Sequence, residues 1–465
     1  MSALDLLLTG GTVVTPQGEF NVNLGIKDGK IACWEAPTLQ PDARETLDVT
    51  GKHLLPGIVD PHVHTRYPGN PERETFSTGT QAAAAGGVTT ILEHPISKPA
   101  VHSVQVLQDR ISVCAPQAYV DYAFFAGAGQ ENLDDIADLA AAGVIAFKSF
   151  LHAPPAGRES EFYGLTVTDP GALYEAFEKV AATGRVHAIH AECNALIEHV
   201  TARLKAEGKK DIFAHERGRP VLAELLSVAE VLELSRATGA RLLVCHISGG
   251  SVADFLLSAR QRGYQVLVET CPHYLFLTTN DYERLGPYAK INPPVRPLPE
   301  QEGLWDHLGS GTIDFVGSDH GPFRPEEKDP GWEDIWPVPS GAVGIETMLP
   351  LFLNAVNEGR IHLPEVARLL STGAAQAFDL YPRKGSLAVG ADADIAIVDM
   401  NEKYTITKEA ALTRSRESAH LFDGCDVQGR LVSTLVRGAL VFNEGRIVGQ
   451  EGYGQMLKPP HKEGA

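Results

Sequence analysis

At 465 residues and 50.0 kDa the chain exceeds one ordinary core. At about 150 residues per domain it calls for roughly three domains, or one large α/β barrel with an accessory domain. Hydrophobic residues make up 43% and charged residues 21%, which supplies a sizeable core and excludes a disordered chain, while 40 Lys+Arg against 59 Asp+Glu give −19 and disfavour nucleic acid or anionic lipid as partners.

No run reaches the ~18–20 uncharged apolar residues of a membrane span. The first eleven residues have no basic flank and carry Asp5 inside their short apolar run, so they do not read as a signal peptide. Cys33, Cys114, Cys193, Cys245, Cys271 and Cys425 show no C-x-x-C spacing and read as reduced thiols, three of them within apolar runs. The expected compartment is the cytoplasm.

In chain order, residues 5–50 are short β-rich segments broken by turn signals. Leu6–Leu8 precedes Gly10-Gly11, Val13-Val14 follows, and Asp28-Gly29 separates Leu24–Ile26 from Ile31. An Asp-Gly pair between apolar runs predicts a type I′ hairpin. The middle, 56–384, alternates short apolar runs with helix-patterned stretches. The predicted strands are Ile58–Val63, Thr89–Leu92, Val120–Phe125, Val144–Phe147, Val186–Ile189, Arg241–Cys245, Gln265–Val268 and Ile313–Val316. Helices are expected at Thr78–Ala85, Asp134–Ala142, Gly171–Thr183, Glu224–Thr238 and Ser251–Arg262, among others. Eight strands with crossover helices argue an α/β fold with a parallel sheet, closed as a (β/α)8 TIM barrel. Residues 385–450 return to β texture with Asp394–Val398, Leu431–Val436 and Asn443–Gly445. Neither end is long enough to fold well alone, so 1–55 and 385–450 are expected to pair into one small β-sandwich. The segment 451–465 reads as a tail, with Met456–Ala465 draped on a neighbouring subunit.

The residues that carry chemistry fall at strand ends. Asp60-Pro61-His62-Val63-His64 closes the first strand, Lys148 follows Val144–Phe147, and His190 follows Val186–Ile189. His246 follows Cys245, and Asp319 comes just after Val316. In a closed parallel barrel every strand's C-terminal end opens on one face, where catalytic groups sit. His62 and His64, at i and i+2, point to the same side. One histidine at a strand end is usually structural, and the chain has 17 of them. Five strand ends agreeing points to a metal site.

Lys148 is flanked by apolar residues in Gly143–Phe150. Burying an ammonium there costs several kcal/mol, on the order expected for an unpaired interior charge. A lysine reaching up to the barrel mouth is one reading. The other is a neutral amine that adds CO2 and becomes a carbamate, an anionic donor able to bridge two cations.

Taken together, Leu55–His64, Ala85–Thr90, Phe147-Lys148-Ser149, His190-Ala191-Glu192, Cys245–Ser248, Glu269–Tyr274, Asn292–Arg296, Gly317–Gly321 and Gly385–Asp394 resemble the cyclic amidohydrolases. That group contains hydantoinase, dihydropyrimidinase, allantoinase and dihydroorotase, and the resemblance covers essentially the whole chain. It implies a TIM barrel with a sandwich from both termini, and two divalent metal ions, usually zinc. His62, His64 and Asp319 would hold one metal, His190 and His246 the other, with carbamylated Lys148 and a hydroxide between them. It implies hydroxide attack on a ring amide carbonyl, with Asp319 as the catalytic proton carrier, and a net charge of about +1 at the centre to stabilise the anionic intermediate. Homo-oligomers, tetramers or dimers, are also implied.

The ring opened is less clearly written. Arg66 matches the arginine with which dihydroorotases hold a substrate carboxylate, or it is a solvent-facing loop residue. Ile96 stands where those enzymes resemble one another in an Asn. Gly317–Trp336 and Glu93–Ser97 are most similar to the hydantoinase and allantoinase branch, L-hydantoinase above all. His94 replaces a common Met as a pocket contact or a structural histidine under the barrel mouth. Ala153 stands where dihydropyrimidinases place a Tyr. The resemblance assigns the ring's imide edge to the backbone of Asn292 and to Ser340. The expected substrate is a small cyclic ureide of hydantoin or allantoin type, with dihydroorotate as the alternative.

Overall fold

The computed structural model describes residues 3–459. Its centre is an eight-stranded parallel sheet in sequential order: β1 (Ile58–Val63), β2 (Val88–Glu93), β3 (Asp121–Gly127), β4 (Ala146–Phe150), β5 (Val186–His190), β6 (Arg241–Val244), β7 (Val266–Thr270) and β8 (Phe315–Val316). All eight overlap the expected strands, although β4 begins two residues later than expected and runs to Phe150, so Lys148 lies inside it. They are buried on both faces, which is why they read as unbroken apolar runs. The last is shorter than its apolar run, because only Phe315 and Val316 pair with β7. Closure between β8 and β1 passes through the following loop, where His64 N donates to His320 O at 2.8 Å.

The crossovers are helical where predicted, as at Phe76–Ala85, Pro170–Thr183 and Val221–Thr238. Pro170–Thr183 shows why. Asp169 accepts from Ala172 N, Pro170 opens the first turn, and Gly184 ends the helix at φ 67°. Such an N-cap stabilises the helix by about 1 kcal/mol.

The termini build two further sheets. The strands Lys30–Glu35, Asn23–Lys27, Leu4–Thr9 and Ala43–Asp48 form one. The other has seven strands and mixes the ends: Ile395–Thr405 pairs antiparallel with His53–Pro56. Leu8, Leu24, Ile31, Leu54, Ile395 and Leu435 share one core, so neither end buries its apolar face without the other. Asp28 and Gly29 take φ 51° and 74°, the left-handed pair of a type I′ turn.

The C-terminal stretch differs from expectation. Gln455 O accepts from Tyr122 N at 3.0 Å, Leu457 N donates to Tyr122 O at 2.7 Å, and Leu457 is buried. This part of the tail lies on its own barrel, because Leu457 has an apolar site there and Tyr122 has free backbone groups on the side that β4 joins only from Phe125 onward. Residues 460–465, where the tail reading ends, lie outside the described residues.

Candidate metal centre and substrate cavity

The strand ends open on a cavity of about 680 Å3 lined by His62, His64, His190, His246 and Asp319, among others. Strand alternation sets this up. Ala146 and Ala188 face the barrel interior, and two residues further along the same faces carry Lys148 and His190. His246 and Asp319 are turned by left-handed backbone, φ 38° and 47°, as is Arg66 at 60°. Each such residue costs on the order of 1–3 kcal/mol, strain that the surrounding packing must hold.

Two donor clusters result. Asp319 Oδ1 lies 3.4 Å from His62 Nε2 and 3.3 Å from His64 Nε2. His190 Nδ1 lies 3.1 Å from His246 Nε2. A tetrahedral centre with arms of about 2.0–2.1 Å has edges of about 3.3 Å, so these spacings suit donors to a common ion. The outward nitrogens fix the tautomers. His62 Nδ1 is 2.9 Å from Glu269 Oε2, and His190 Nε2 is 2.7 Å from Glu192 Oε2. Where the carboxylate accepts, the opposite nitrogen keeps its lone pair for the cluster. Burial, reinforced by surrounding cationic groups, holds the pKa of His62, His64, His190 and His246 well below the ordinary imidazole value, favouring the neutral ligand form. Burial also pushes Asp319 up to about 6, against the opposing pull of His273 and Lys148.

Lys148 is fully buried, and its Nζ has no hydrogen-bond partner; the Phe150 ring is centred 5.0 Å away. His64 Nδ1 and His246 Nδ1, the ring nitrogens opposite those in the clusters, are likewise unpartnered. Buried polar groups are normally satisfied, and an unpaired ammonium costs several kcal/mol, roughly the penalty of an isolated interior charge. The converging atoms of His62, His64 and Asp319, and of His190 and His246, fit bound cations. The unpartnered Nζ fits a modified Lys148 carrying oxygens in place of the bare amine.

The remaining sequence candidates divide. Arg66, Asn292 and Ser340 line the cavity, and the Asn292 side-chain amide donates to Ser340 Oγ at 3.1 Å in the orientation that lets its oxygen accept from Arg219 at 3.3 Å. Arg66 is buried, not solvent-facing. Its guanidinium lies 4.6 Å over the Phe323 ring and 3.9 Å from Glu161, and burial, then Arg158, lowers its pKa to about 9. Of its two readings, His94 takes the structural one and does not line the cavity. It is 1% exposed, stacked on His62 at 3.7 Å and 8°, and on Phe125 at 4.1 Å. It follows Leu92 on the inward face of β2, which carries it under His62 and out of the cavity wall. His62, His64 and His94 are close enough to suggest a three-imidazole site. Two parallel rings so close cannot both hold one ion in their planes, so His94 packs.

Sequence reasoning assigned no role to Glu269 or Glu192, the carboxylates behind His62 and His190. Glu269 lies in β7 one residue from its end, the same signal that marked the ligands. Arg219 pairs with Glu192, a contact between distant loops that no local pattern announces.

The amidohydrolase family model matches residues 53–441. The L-hydantoinase of Paenarthrobacter aurescens is 36% identical over 461 residues, 97% of this chain and 98% of that protein.

The chain belongs to the amidohydrolase family.

An allantoinase of Deinococcus radiodurans is 38% identical over 459 residues, 98% of this amidohydrolase and 99% of that protein. Among solved structures, the L-hydantoinase (dihydropyrimidinase) from Arthrobacter aurescens superposes with a TM-score of 0.94 at 35% identity, covering 98% of this chain and 100% of that one. A dihydropyrimidinase from Brevibacillus agri gives 0.88 at 29% identity, with 97% and 98% covered.

Proposed function

We propose that this amidohydrolase opens the ring amide of a five-membered cyclic ureide, of hydantoin or allantoin type, using two divalent metal ions, with zinc the expected pair. The observation that carries this reading is the pair of donor clusters, with edges of 3.3–3.4 Å and 3.1 Å, together with the unpartnered Lys148 Nζ. His62, His64 and Asp319 would hold one ion, His190 and His246 the other, and Lys148, as its CO2-derived carbamate, both. When bound, the ions polarise the ring carbonyl and make water nucleophilic near neutral pH.

The chain's own groups do the rest. Asp319 takes the proton of the attacking water and returns it to the leaving ring nitrogen as the C–N bond breaks, leaving a carboxylate and an N–H. Glu269 and Glu192 hold the imidazoles in their ligating tautomers. Ser340, with Asn292, meets the imide edge of the ring. Phe150, Phe162 and Ile96 wall the cavity and restrict water. The nearly full-length relatives carry hydantoinase and allantoinase names, which supports the ring class. Dihydroorotate is disfavoured, since Ile96 in the cavity wall offers a carboxylate no hydrogen bond.

The test is a panel with protein loaded with zinc and bicarbonate. Allantoin, 5-substituted hydantoins of both hands, dihydrouracil and dihydroorotate are offered, and ring-opened product is followed by mass. Turnover of allantoin or hydantoins is expected, and exclusive turnover of dihydroorotate would overturn the assignment. The reading carries a cytoplasmic homo-oligomer, tetramer or dimer, which light scattering checks for subunit number.

A further inference from the structure

We infer that His152 is the hydrogen-bond acceptor that reads an N–H group of the cyclic ureide, which makes it a specificity-determining residue of the cavity. The inference rests on the ring-opening reading above. His152 lies two residues beyond the end of β4, is 6% exposed, and lines the cavity. Its Nδ1 is 2.7 Å from Ala153 O. A carbonyl oxygen only accepts, so Nδ1 carries the hydrogen and Nε2 the lone pair. No hydrogen bond engages Nε2 among the described residues, and it is absent from the buried polar atoms that lack partners, which leaves it open to the cavity.

The ring is held in place. It stands edge-on to His190 at 4.9 Å and 85°, and to Phe150 at 5.6 Å and 64°, with Phe162 at 6.2 Å. Its neighbour His190 belongs to the donor cluster, so the acceptor sits beside the reacting ring and not at the cavity rim. The other charged groups of the wall are mostly donors: Arg66, Arg158, Arg219, Lys205 and Lys290. Asp319 belongs to the donor cluster, and Glu327 is paired with Arg73. A cyclic ureide presents N–H groups beside its carbonyls, and each buried N–H needs an acceptor. His152 Nε2 is an uncommitted one, and with no hydrogen to donate it accepts N–H and turns away C=O or N-methyl.

The experiment crosses enzyme and substrate changes. Metal-loaded wild type, His152→Phe and His152→Gln are assayed on a 5-substituted hydantoin and on its N1-methyl and N3-methyl derivatives. Phe keeps the ring packing and removes the lone pair, whereas Gln keeps an acceptor oxygen. At one ring nitrogen, His152→Phe should lose about ten-fold in kcat/KM on the N–H substrate, mainly through KM, and little on the methylated one. His152→Gln should recover most of the loss, with metal content and Tm unchanged in both variants. Equal losses on N–H and N-methyl substrates, or no loss, would overturn the inference while ring opening stands. Wild type that opens both methylated rings as fast as the parent overturns it without any variant. Wild type that opens neither these rings nor allantoin removes the ring-opening reading itself, and the inference with it.

Discussion

At the N-terminal end of the barrel, Lys384 Nζ lies 2.6 Å from Asp121, 2.7 Å from Asp394 and 3.1 Å from Asp392, and Arg437 grips Asp121 from another side. None of these side chains is among the buried groups without partners. At the C-terminal end, by contrast, Lys148 Nζ, His64 Nδ1, His246 Nδ1 and Glu269 Oε1 all lack partners. Both ends hold residues spaced closely enough for a cation. At the lower end an ammonium already fills the place, and the three surrounding carboxylates hold Lys384 firmly protonated despite the burial that opposes it. Spacing therefore does not separate a structural cluster from a functional one, and satisfaction does. The closed network joins β3 to the sandwich and the C-terminal stretch, whereas at the open end Lys148 Nζ is buried with no hydrogen-bond partner.

The largest expected effect comes from breaking the open end. Lys148→Ala should lower kcat/KM by about 10,000-fold, roughly 5.4 kcal/mol, and bound metal should fall with it. Short carboxylic acids added to this variant should restore part of both, and full activity without them would remove the carbamate from the account. Lys384→Met probes the closed end. It leaves buried carboxylates uncompensated and should cost about 3–5 kcal/mol in denaturant unfolding. Below its melting temperature the variant should keep wild-type metal content and turnover, which separates stability at one end from chemistry at the other.

Glu269→Gln sharpens the comparison, because it keeps the shape behind His62 and replaces a carboxyl that burial pushes up to about 8, against the pull of Lys148. Metal affinity should weaken about 10–100-fold in chelator competition, and an unchanged affinity would make Glu269 mere packing. A smaller effect lies between the ends, where half-buried Glu346 accepts from Leu412 N and Thr413 N. Burial raises its pKa to about 7, against the pull of those N–H groups. The folded chain thus binds a proton that the unfolded chain releases. The advantage of wild type over Glu346→Gln should be largest at acid pH and fall as pH rises through about 7. About 1 kcal/mol of it should go between about pH 5 and pH 6, read from urea melts.

The open end was largely legible in the sequence because it is made of strand ends. Buried parallel strands read as apolar runs, and the residue after each run is fixed in direction by alternation, so His62, Lys148, His190 and His246 could be placed before any geometry was known. The same alternation, applied from Leu92 to His94, decides between the two readings of His94 and puts it beneath His62. Asp319 was found although β8 pairs over only Phe315–Val316, since the apolar run outlasts the hydrogen bonds. The walls were not legible. Arg158 meets Glu161 at 2.5 Å in the long segment after β4, and Glu161 in turn faces Arg66 and Arg73. No periodicity marks such a loop. The closed cluster was equally silent, because Asp121 and Lys384 are 263 positions apart and neither sits in a run with a chemical signature.

The most direct measurement is metal stoichiometry by elemental analysis after exposure to zinc and bicarbonate, for wild type, Lys148→Ala and Lys384→Met side by side. The account predicts two ions per chain in wild type, fewer in Lys148→Ala, and two again in the folded Lys384→Met protein. Wild type that takes up no metal, or metal that disappears with Lys384 and survives the loss of Lys148, would contradict it.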